Sequence, residues 1–141
     1  MEVELTDMTF QEFMEKDRFA AETGIKLTEI KPGYAKARLT ISSRHLNAGN
    51  TTQGGVLFTL ADLALAAAAN AHGQLSLSLT SSIHFFRTSG PGDVLTAEAR
   101  EKFIHKRTAH YQVDITNQNG ETIACAEATM YRKDKEIPVT F

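Results

Sequence analysis

Residues 56–69 read VLFTLADLALAAAA, and the side chain of Asp62 is the one ionisable group among them. Alanine and leucine have high helix propensity, so this run predicts a helix that starts at the Gly54-Gly55 pair and ends near Asn70. The helix is apolar on every side, which indicates that it is buried all round. It is too short to cross a membrane, which takes about 20 apolar residues. The rest of the chain must therefore wrap around it.

Alternating apolar and polar residues predict strands on both sides of this helix. The predicted elements in chain order are a helix over 9–20, strands over 25–30 and 34–41, the apolar helix, and strands over 75–87, 94–107, 108–117 and 123–131. Short turns between consecutive strands imply an antiparallel sheet. In a chain of 141 residues, a helix buried all round needs a curved sheet around it. We therefore expect an α+β fold that forms one domain over residues 1–141.

The ends of the chain and the loop before the apolar helix carry weaker signals. Thr9 and Glu12 have the spacing of a capping box, which predicts the start of the first helix. The polar, turn-rich residues 43–53 predict a loop, and the polar residues 133–141 predict a loose tail. The first thirteen residues are acidic and lack an apolar run, so we expect no signal peptide.

The composition narrows the classes of function. Fifteen Lys and Arg residues against seventeen Asp and Glu residues leave a net charge of −2, so no nucleic-acid partner is expected. The single cysteine, Cys125, cannot form an intramolecular disulfide or a cysteine-rich zinc site. The five histidines lack metal-ligand spacing, so no metal site is expected either. A reducing, cytoplasmic setting is the simplest expectation, without a membrane partner.

Asp62 is the residue that points most directly to chemistry. A carboxylate in a buried helix costs several kcal/mol unless it is paired or lines a wet pocket. One interpretation is structural: a neighbouring hydroxyl such as that of Thr59 satisfies it. The other is functional: the carboxylate projects into a cavity, where it acts as a base or a nucleophile.

The start of the same helix offers hydrogen-bond donors. The first N–H groups of a helix have no internal partner, so an amide at Gly54 or Gly55 can hold a developing oxyanion. The glycine pair is equally consistent with a helix start chosen for steric reasons. Asn47 and Gln53 precede it, and their amides could bind a substrate, although an asparagine in a loop is commonly a turn residue.

Gly54 and Asp62 are eight residues apart, which is about 12 Å along a helix axis. One helix cannot easily bring both groups to the same carbonyl carbon. If both act on one carbon, Asp62 must come from a second copy of the chain, which argues for a dimer with shared sites.

Two segments carry a family resemblance. Residues 45–73, HLNAGNTTQGGVLFTLADLALAAAANAHG, resemble the hotdog-fold acyl-CoA thioesterases of the phenylacetate-degradation (PaaI) type, and residues 81–99 resemble the segment that follows in that family. With the strand order, the resemblance covers roughly residues 18–132. It implies a central helix wrapped by an antiparallel sheet, and dimers with sites at the interface that often pair into tetramers.

The resemblance also implies roles for individual residues. Asp62 matches the family's general base or nucleophile, supplied by the partner subunit. The amide of Gly54 matches the group that polarises the thioester carbonyl, and Asn47 matches the residue that places substrate or water. A Ser or Thr on the following strand positions the water, and Thr80 is the best match, with Ser81 next.

The function that follows is hydrolysis of an acyl-CoA thioester. CoA is part of the substrate, and neither a metal nor another cofactor is expected. Gly55 is expected to contact substrate, and Lys106 and Arg107, with Lys102 nearby, could meet the phosphates of CoA. The alternative is that these cations lie on a solvent-exposed face of a strand and bind no ligand.

One departure from the family bears on the alternatives. The family usually has His directly before the glycine pair, and Gln53 stands there in this chain. Glutamine can donate a hydrogen bond but cannot titrate. This argues against a hotdog hydratase or dehydratase, whose chemistry usually needs that histidine. A non-catalytic acyl-binding module is the third possibility, and Asp62 argues against it because binding alone needs no buried charge.

Overall fold

A computed structural model describes residues 8–141. Its helices and strands in chain order are α1 (Phe10–Met14), α2 (Arg18–Thr23), β1 (Lys26–Lys31), β2 (Tyr34–Thr40), a 3-10 turn (Ser43–His45), α3 (Gly54–Asn70), β3 (Gln74–Phe85), β4 (Val94–Ile104), β5 (Thr108–Thr116) and β6 (Thr122–Glu136). The strands form one antiparallel sheet in the order β1-β2-β4-β5-β6-β3. The sheet curves around α3, which confirms the predicted fold class.

Small buried side chains let α3 lie close to the sheet. Alternate residues of β2, β4 and β5 face the helix and are almost fully buried, and many of those on β2 and β4 are alanines. The buried face of α3 is itself rich in alanine and leucine. These small side chains allow the helix and the concave side of the sheet to pack closely, with Tyr111 as the largest fully buried side chain.

The predicted helix over 9–20 is wrong in one respect, because the segment forms two short helices. The capping box of Thr9 and Glu12 is present at the start of α1. The second helix starts afresh at Asp17, whose Oδ1 accepts a hydrogen bond from the amide of Ala20 at 3.1 Å. We expected no signal peptide in the first thirteen residues. Residues 1–7 of that segment lie outside the described residues.

The predicted loose tail over 133–141 is also wrong. Strand β6 continues to Glu136, and Ile137 is buried after it. The amide of Phe10 donates to the carbonyl of Thr140 at 2.9 Å, and the ring of Phe141 stacks on that of Phe10 with centroids 5.0 Å apart. The apolar residues within this polar stretch therefore pack against the first helix.

The expectation that α3 is buried all round fails on one face. Gly55 and Asp62 are exposed, and Phe58, Thr59 and Ala66 on the same face are only half-buried. Strand β3, which ends the sheet on this side in the described part of the chain, exposes Leu77 and Leu79 among others. Among the helices of residues 8–141, none has both the length and the hydropathy that a membrane crossing requires.

Candidate active site

The open face of α3 borders a shallow cavity of about 370 Å³. Its lining residues are Asp17, Phe19, Phe58, Thr59, Asp62 and Ser81. The three from α3 share one face because residues three and four apart are neighbours on a helix. A larger cavity of about 520 Å³ lies beside β1, but it contains neither Asp62 nor the start of α3. The chemistry expected from the sequence therefore belongs to the smaller cavity.

Asp62 carries an unpaired carboxylate. The Thr59 hydroxyl donates to the carbonyl of Gly55 at 2.7 Å, so it does not satisfy Asp62, and no other hydrogen bond or ion pair joins Asp62 to residues 8–141. Burial against the cavity wall raises the pKa of Asp62, and the negative charge of Asp17 raises it further. One side stays open to solvent, so a ligand can reach the carboxylate. A reachable carboxylate of raised pKa suits a base or a nucleophile.

Gln53 caps the start of α3. Its Oε1 accepts a hydrogen bond from the amide of Val56 at 3.1 Å, so its carboxamide oxygen is an acceptor here. The amides of Gly54 and Gly55 have no acceptor among residues 8–141. These two N–H groups are free to bind a ligand oxygen and carry the partial positive charge of the helix start.

Both glycines also have a steric reason to be glycine. A Cβ atom on Gly55 would lie 2.7 Å from Oε1 of Gln53, which would force the capping side chain away. A Cβ atom on Gly54 would lie 3.2 Å from Cζ of Phe85, whose ring covers the helix start from β3. The steric interpretation of the glycine pair is thus supported, and it coexists with the free amides.

Asn47 organises the loop that leads into α3. Its Oδ1 accepts hydrogen bonds from the amides of Gly49 at 2.9 Å and Thr51 at 3.2 Å, and its Nδ2 donates to Oγ1 of Thr51 at 3.0 Å. These are the contacts of a turn residue. The loop holds Gln53, and hence the glycine pair, in place.

Ser81, rather than Thr80, shares the cavity with Asp62. Successive residues of a strand point to opposite faces, so only one of the two can face α3. The register of β3 against β6 shifts between Ser78 and Thr80, and the alternation expected from the preceding residues changes there. A bulge of this kind leaves no signal in the sequence.

The cations expected to meet CoA lie apart from Asp62 within one chain. Lys106 and Arg107 are exposed in the turn between β4 and β5, because β4 ends at Ile104 and not at Arg107 as predicted. Neither residue lines the cavity of Asp62. Residues 8–141 hold no group of three or more His, Cys, Asp or Glu side chains placed to bind a metal ion.

Sequence reasoning missed Asp17 and Phe19, which reach the cavity from α2. A usable signal was present, since an aspartate before Arg18–Thr23 has the character of an N-cap. That signal was hidden by the assumption of one continuous helix over 9–20. Nothing in the sequence places α2 beside Asp62, because the contact spans 45 positions of the chain.

Comparison with known proteins identifies a family for this chain. Residues 49–124 match the model of the Thioesterase superfamily. A putative esterase of Archaeoglobus fulgidus is 40% identical over 115 residues, which are 82% of this chain and 75% of that protein. The acyl-coenzyme A thioesterase PaaI of Escherichia coli is 34% identical over 118 residues, or 84% of each chain.

Solved structures give the same result. The Escherichia coli PaaI protein from the phenylacetic acid degradation operon superposes with a TM-score of 0.85 at 32% identity over 91% of each chain. A hypothetical thioesterase of Streptococcus pneumoniae, solved with coenzyme A, has a TM-score of 0.81 at 26% identity, over 87% of this chain and 98% of that one. The chain therefore belongs to the thioesterase superfamily, as a thioester hydrolase with the PaaI-type hotdog fold.

Proposed function

We propose that the protein is an acyl-CoA thioesterase that hydrolyses an acyl- or aryl-acyl-CoA to a free acid and CoA. The similarity to the acyl-coenzyme A thioesterase PaaI and to a thioesterase solved with coenzyme A supports this substrate class. The observation that carries the proposal is the unpaired carboxylate of Asp62 in an open cavity, on a helix whose first two amides are free.

In the first of two routes, Asp62 acts as a general base. The thioester oxygen accepts a hydrogen bond from the amide of Gly54, which stabilises the negative charge that develops there. Asp62 takes a proton from water, and the water oxygen bonds to the carbonyl carbon. The C–S bond then breaks, and CoA leaves as the thiolate that takes up the proton. Asn47 places substrate or water, and Ser81, or Thr80 as first expected, orients the water.

In the second route, a carboxylate oxygen of Asp62 attacks the carbonyl carbon directly. The C–S bond breaks, CoA leaves, and an anhydride joins the acyl group to Asp62. Water then hydrolyses the anhydride and regenerates the carboxylate. Both routes need the same residues, and neither requires a metal or a further cofactor.

We propose that each site is shared between two copies of the chain. The eight-residue separation of Gly54 and Asp62, about 12 Å, prevents one helix from placing both at one carbon. Strand β3 supports a dimer because it is an edge strand with Leu77 49% and Leu79 58% exposed. An edge with apolar side chains is a template for pairing with another chain. Two such dimers could form a tetramer.

The remaining expectations belong to the same proposal. Gln53 holds the helix start open, and Gly55 lies beside the bound carbonyl. Lys106 and Arg107 contact the phosphates of a CoA whose thioester lies at an interface site. The location of the reaction is expected to be the cytoplasm.

The substitution Asp62→Asn tests the function. It keeps the shape of the side chain but removes the base and the nucleophile, so thiol release from acyl-CoA should fall about 10²- to 10⁴-fold. Circular dichroism should show an unchanged fold. Asp134→Asn is the matched control, because Asp134 is exposed on β6 outside the cavity.

The substrates of the assay separate the rival functions. A panel of saturated, aryl and enoyl-CoA thioesters, followed by thiol release and by loss of the enoyl absorbance, distinguishes hydrolysis from hydration and from binding alone. Near wild-type hydrolysis by the Asp62→Asn protein would show that Asp62 is structural and that the site is misassigned.

A further inference from the structure

Phe19 is the most exposed large hydrophobic side chain of the described residues, at 69%. It lines the cavity that contains Asp62, as does a second aromatic side chain, that of Phe58. An exposed aromatic residue alone carries no meaning. Here an exposed ring, that of Phe19, and a half-buried ring, that of Phe58, line the same cavity as the candidate base, which is a combination that suits a bound apolar group.

The helix that carries Phe19 is held firmly. Ala20 is buried beneath it, and Gly24 ends it in the left-handed conformation at φ 98°. The carbonyl of Thr23 accepts a hydrogen bond from Nε2 of His45 at 2.7 Å. His45 is itself buried, and its Nδ1 accepts from the amide of Ser42 at 2.9 Å. The carbonyl of His45 also accepts a hydrogen bond from the amide of Gln53 at 2.9 Å, so the helix that carries Phe19 is anchored to the start of α3.

The cavity is shallow, and its two aromatic side chains offer apolar surface beside four polar residues. Its volume of about 370 Å³ lies at the lower end of the range of ligand pockets, roughly 300–1,000 Å³. Its charged lining residues are two carboxylates, Asp17 and Asp62, with no lysine or arginine. A ligand with an additional negative charge would be repelled there, and no side chain of the lining would compensate that charge.

We propose that α2 selects the acyl group: Phe19 and Phe58 clamp an uncharged apolar acyl chain, and Asp17 rejects acyl chains that end in a carboxylate. This inference rests on the proposed thioesterase function and adds the substrate class. The thioester carbon lies near Asp62, and the acyl chain runs from there between the two rings. Asp17 faces the far part of the chain from the N-cap of α2.

The first test compares acetyl-CoA with hexanoyl-CoA as substrates. In the Phe19→Ala protein, the ratio of kcat/KM for hexanoyl-CoA over acetyl-CoA falls about tenfold, mainly through KM, because only the longer chain reaches the clamp. Phe19→Leu retains most of the ratio. Phe103→Ala is the matched control, since Phe103 is 54% exposed on β4 outside the cavity, and it leaves the ratio unchanged. The thermal midpoint changes little in all three, because both side chains are exposed.

The second test compares hexanoyl-CoA with adipoyl-CoA, which has the same chain length and a terminal carboxylate. The wild-type protein prefers hexanoyl-CoA by about 100-fold, and Asp17→Asn reduces this preference about tenfold. Asparagine keeps the N-cap, so α2 stays in place.

The outcomes distinguish the two levels of the proposal. If the wild-type protein hydrolyses no acyl-CoA, the thioesterase function itself fails. If it hydrolyses hexanoyl-CoA but Phe19→Ala and Asp17→Asn leave both ratios unchanged, the role of α2 is overturned and the thioesterase function stands.

Discussion

Two carboxylates line one cavity, and the electrostatics of Asp62 follow from that arrangement. Burial is the larger cause of its raised pKa, and the charge of Asp17 is the smaller one. A raised pKa means that Asp62 keeps its proton up to a higher pH than an ordinary aspartate. Because the proposed chemistry needs the ionised form, activity should be lost as the pH falls through this raised value.

Asp17→Asn should move the acidic limb of the pH profile of kcat/KM to lower pH. The substitution removes the repulsive charge but leaves burial unchanged, so the limb moves only part of the way towards that of an ordinary carboxyl group. The measurement is kcat/KM for one uncharged acyl-CoA as a function of pH. An acidic limb that stays in place would show that Asp17 does not influence Asp62, or that Asp62 is not the titrating group.

The sequence alone was enough to single out Asp62, because one carboxylate in an apolar helix stands out by composition. It was not enough to find Asp17, and it ranked Thr80 above Ser81, although Ser81 is the one that lines the cavity. The first depends on a tertiary contact, and the second on an irregularity in strand pairing. Neither is a local property of the chain.

At the scale of elements, the N-cap of α3 depends on having glycine at position 55. The side chain of Gln53 folds back over Gly55 to reach the amide of Val56, and this is possible because Gly55 has no Cβ. The stability effects of substitutions at positions 53 and 55 should therefore be non-additive.

Gln53→Ala should cost about 1 kcal/mol of unfolding free energy, as the loss of an N-cap does. Gly55→Ala should change little, because the gain in helix propensity, up to about 1 kcal/mol, is offset by displacement of the cap. In the Gln53→Ala background no cap remains to be displaced, so Gly55→Ala should stabilise the protein by about 0.5–1 kcal/mol.

Urea unfolding of the four proteins at one protein concentration measures this cycle. Strict additivity would show that the side chain of Gln53 and the position of Gly55 are independent. That result would also remove the steric explanation for glycine at position 55.

The bounds of the helices and strands show where sequence patterns stop predicting the structure. Alternation predicted β5 well, since Ala109, Tyr111, Val113 and Ile115 all face the core. The tail was misjudged because its composition is polar, although Ile137 and Val139 supply enough apolar surface to pack against the core. A few apolar residues can be enough to make a polar segment pack against the core. The average composition of the segment does not reveal them.

At the scale of the whole molecule, the edge strand β3 is the feature on which the proposed dimer depends. Leu79→Lys puts a charge on this edge and should shift the protein from dimer to monomer with loss of activity. Thr28→Lys is the matched control, because it puts the same charge on the opposite edge strand, β1, where Thr28 is exposed. Sedimentation velocity at micromolar concentration, with an activity assay, measures both. An active monomer would contradict shared sites.

Mixing two inactive proteins tests the sharing directly. Asp62→Asn keeps Gly54, and Gly54→Val keeps Asp62, so a mixed dimer has one complete site. With free exchange of subunits, activity should return to about a quarter of the wild-type value, since half of the dimers are mixed and half of their sites are intact. Absence of rescue despite proven exchange would show that each site uses one chain.

The shape of the whole molecule followed from one argument, that a helix apolar on nearly every side needs a curved sheet around it. The open face of α3 was not predicted, because hydrophobic periodicity does not show which apolar positions stay exposed in a single chain. The exposed leucines of β3 belong to the same class of residue: they are apolar, and a pattern cannot distinguish them from the core.

The short helix α2 has a consequence for how such an enzyme diverges. Six residues form it, one of them is buried in the core, and its hold on the fold depends mainly on that residue and on groups at its two ends. Substitutions at the remaining positions of α2 would leave the core unchanged, and they would not alter the proposed reacting groups on α3. Under the proposed role of α2, a lineage would acquire a new acyl preference through a few substitutions in this one helix that do not affect folding, while the proposed catalytic groups on α3 would stay the same.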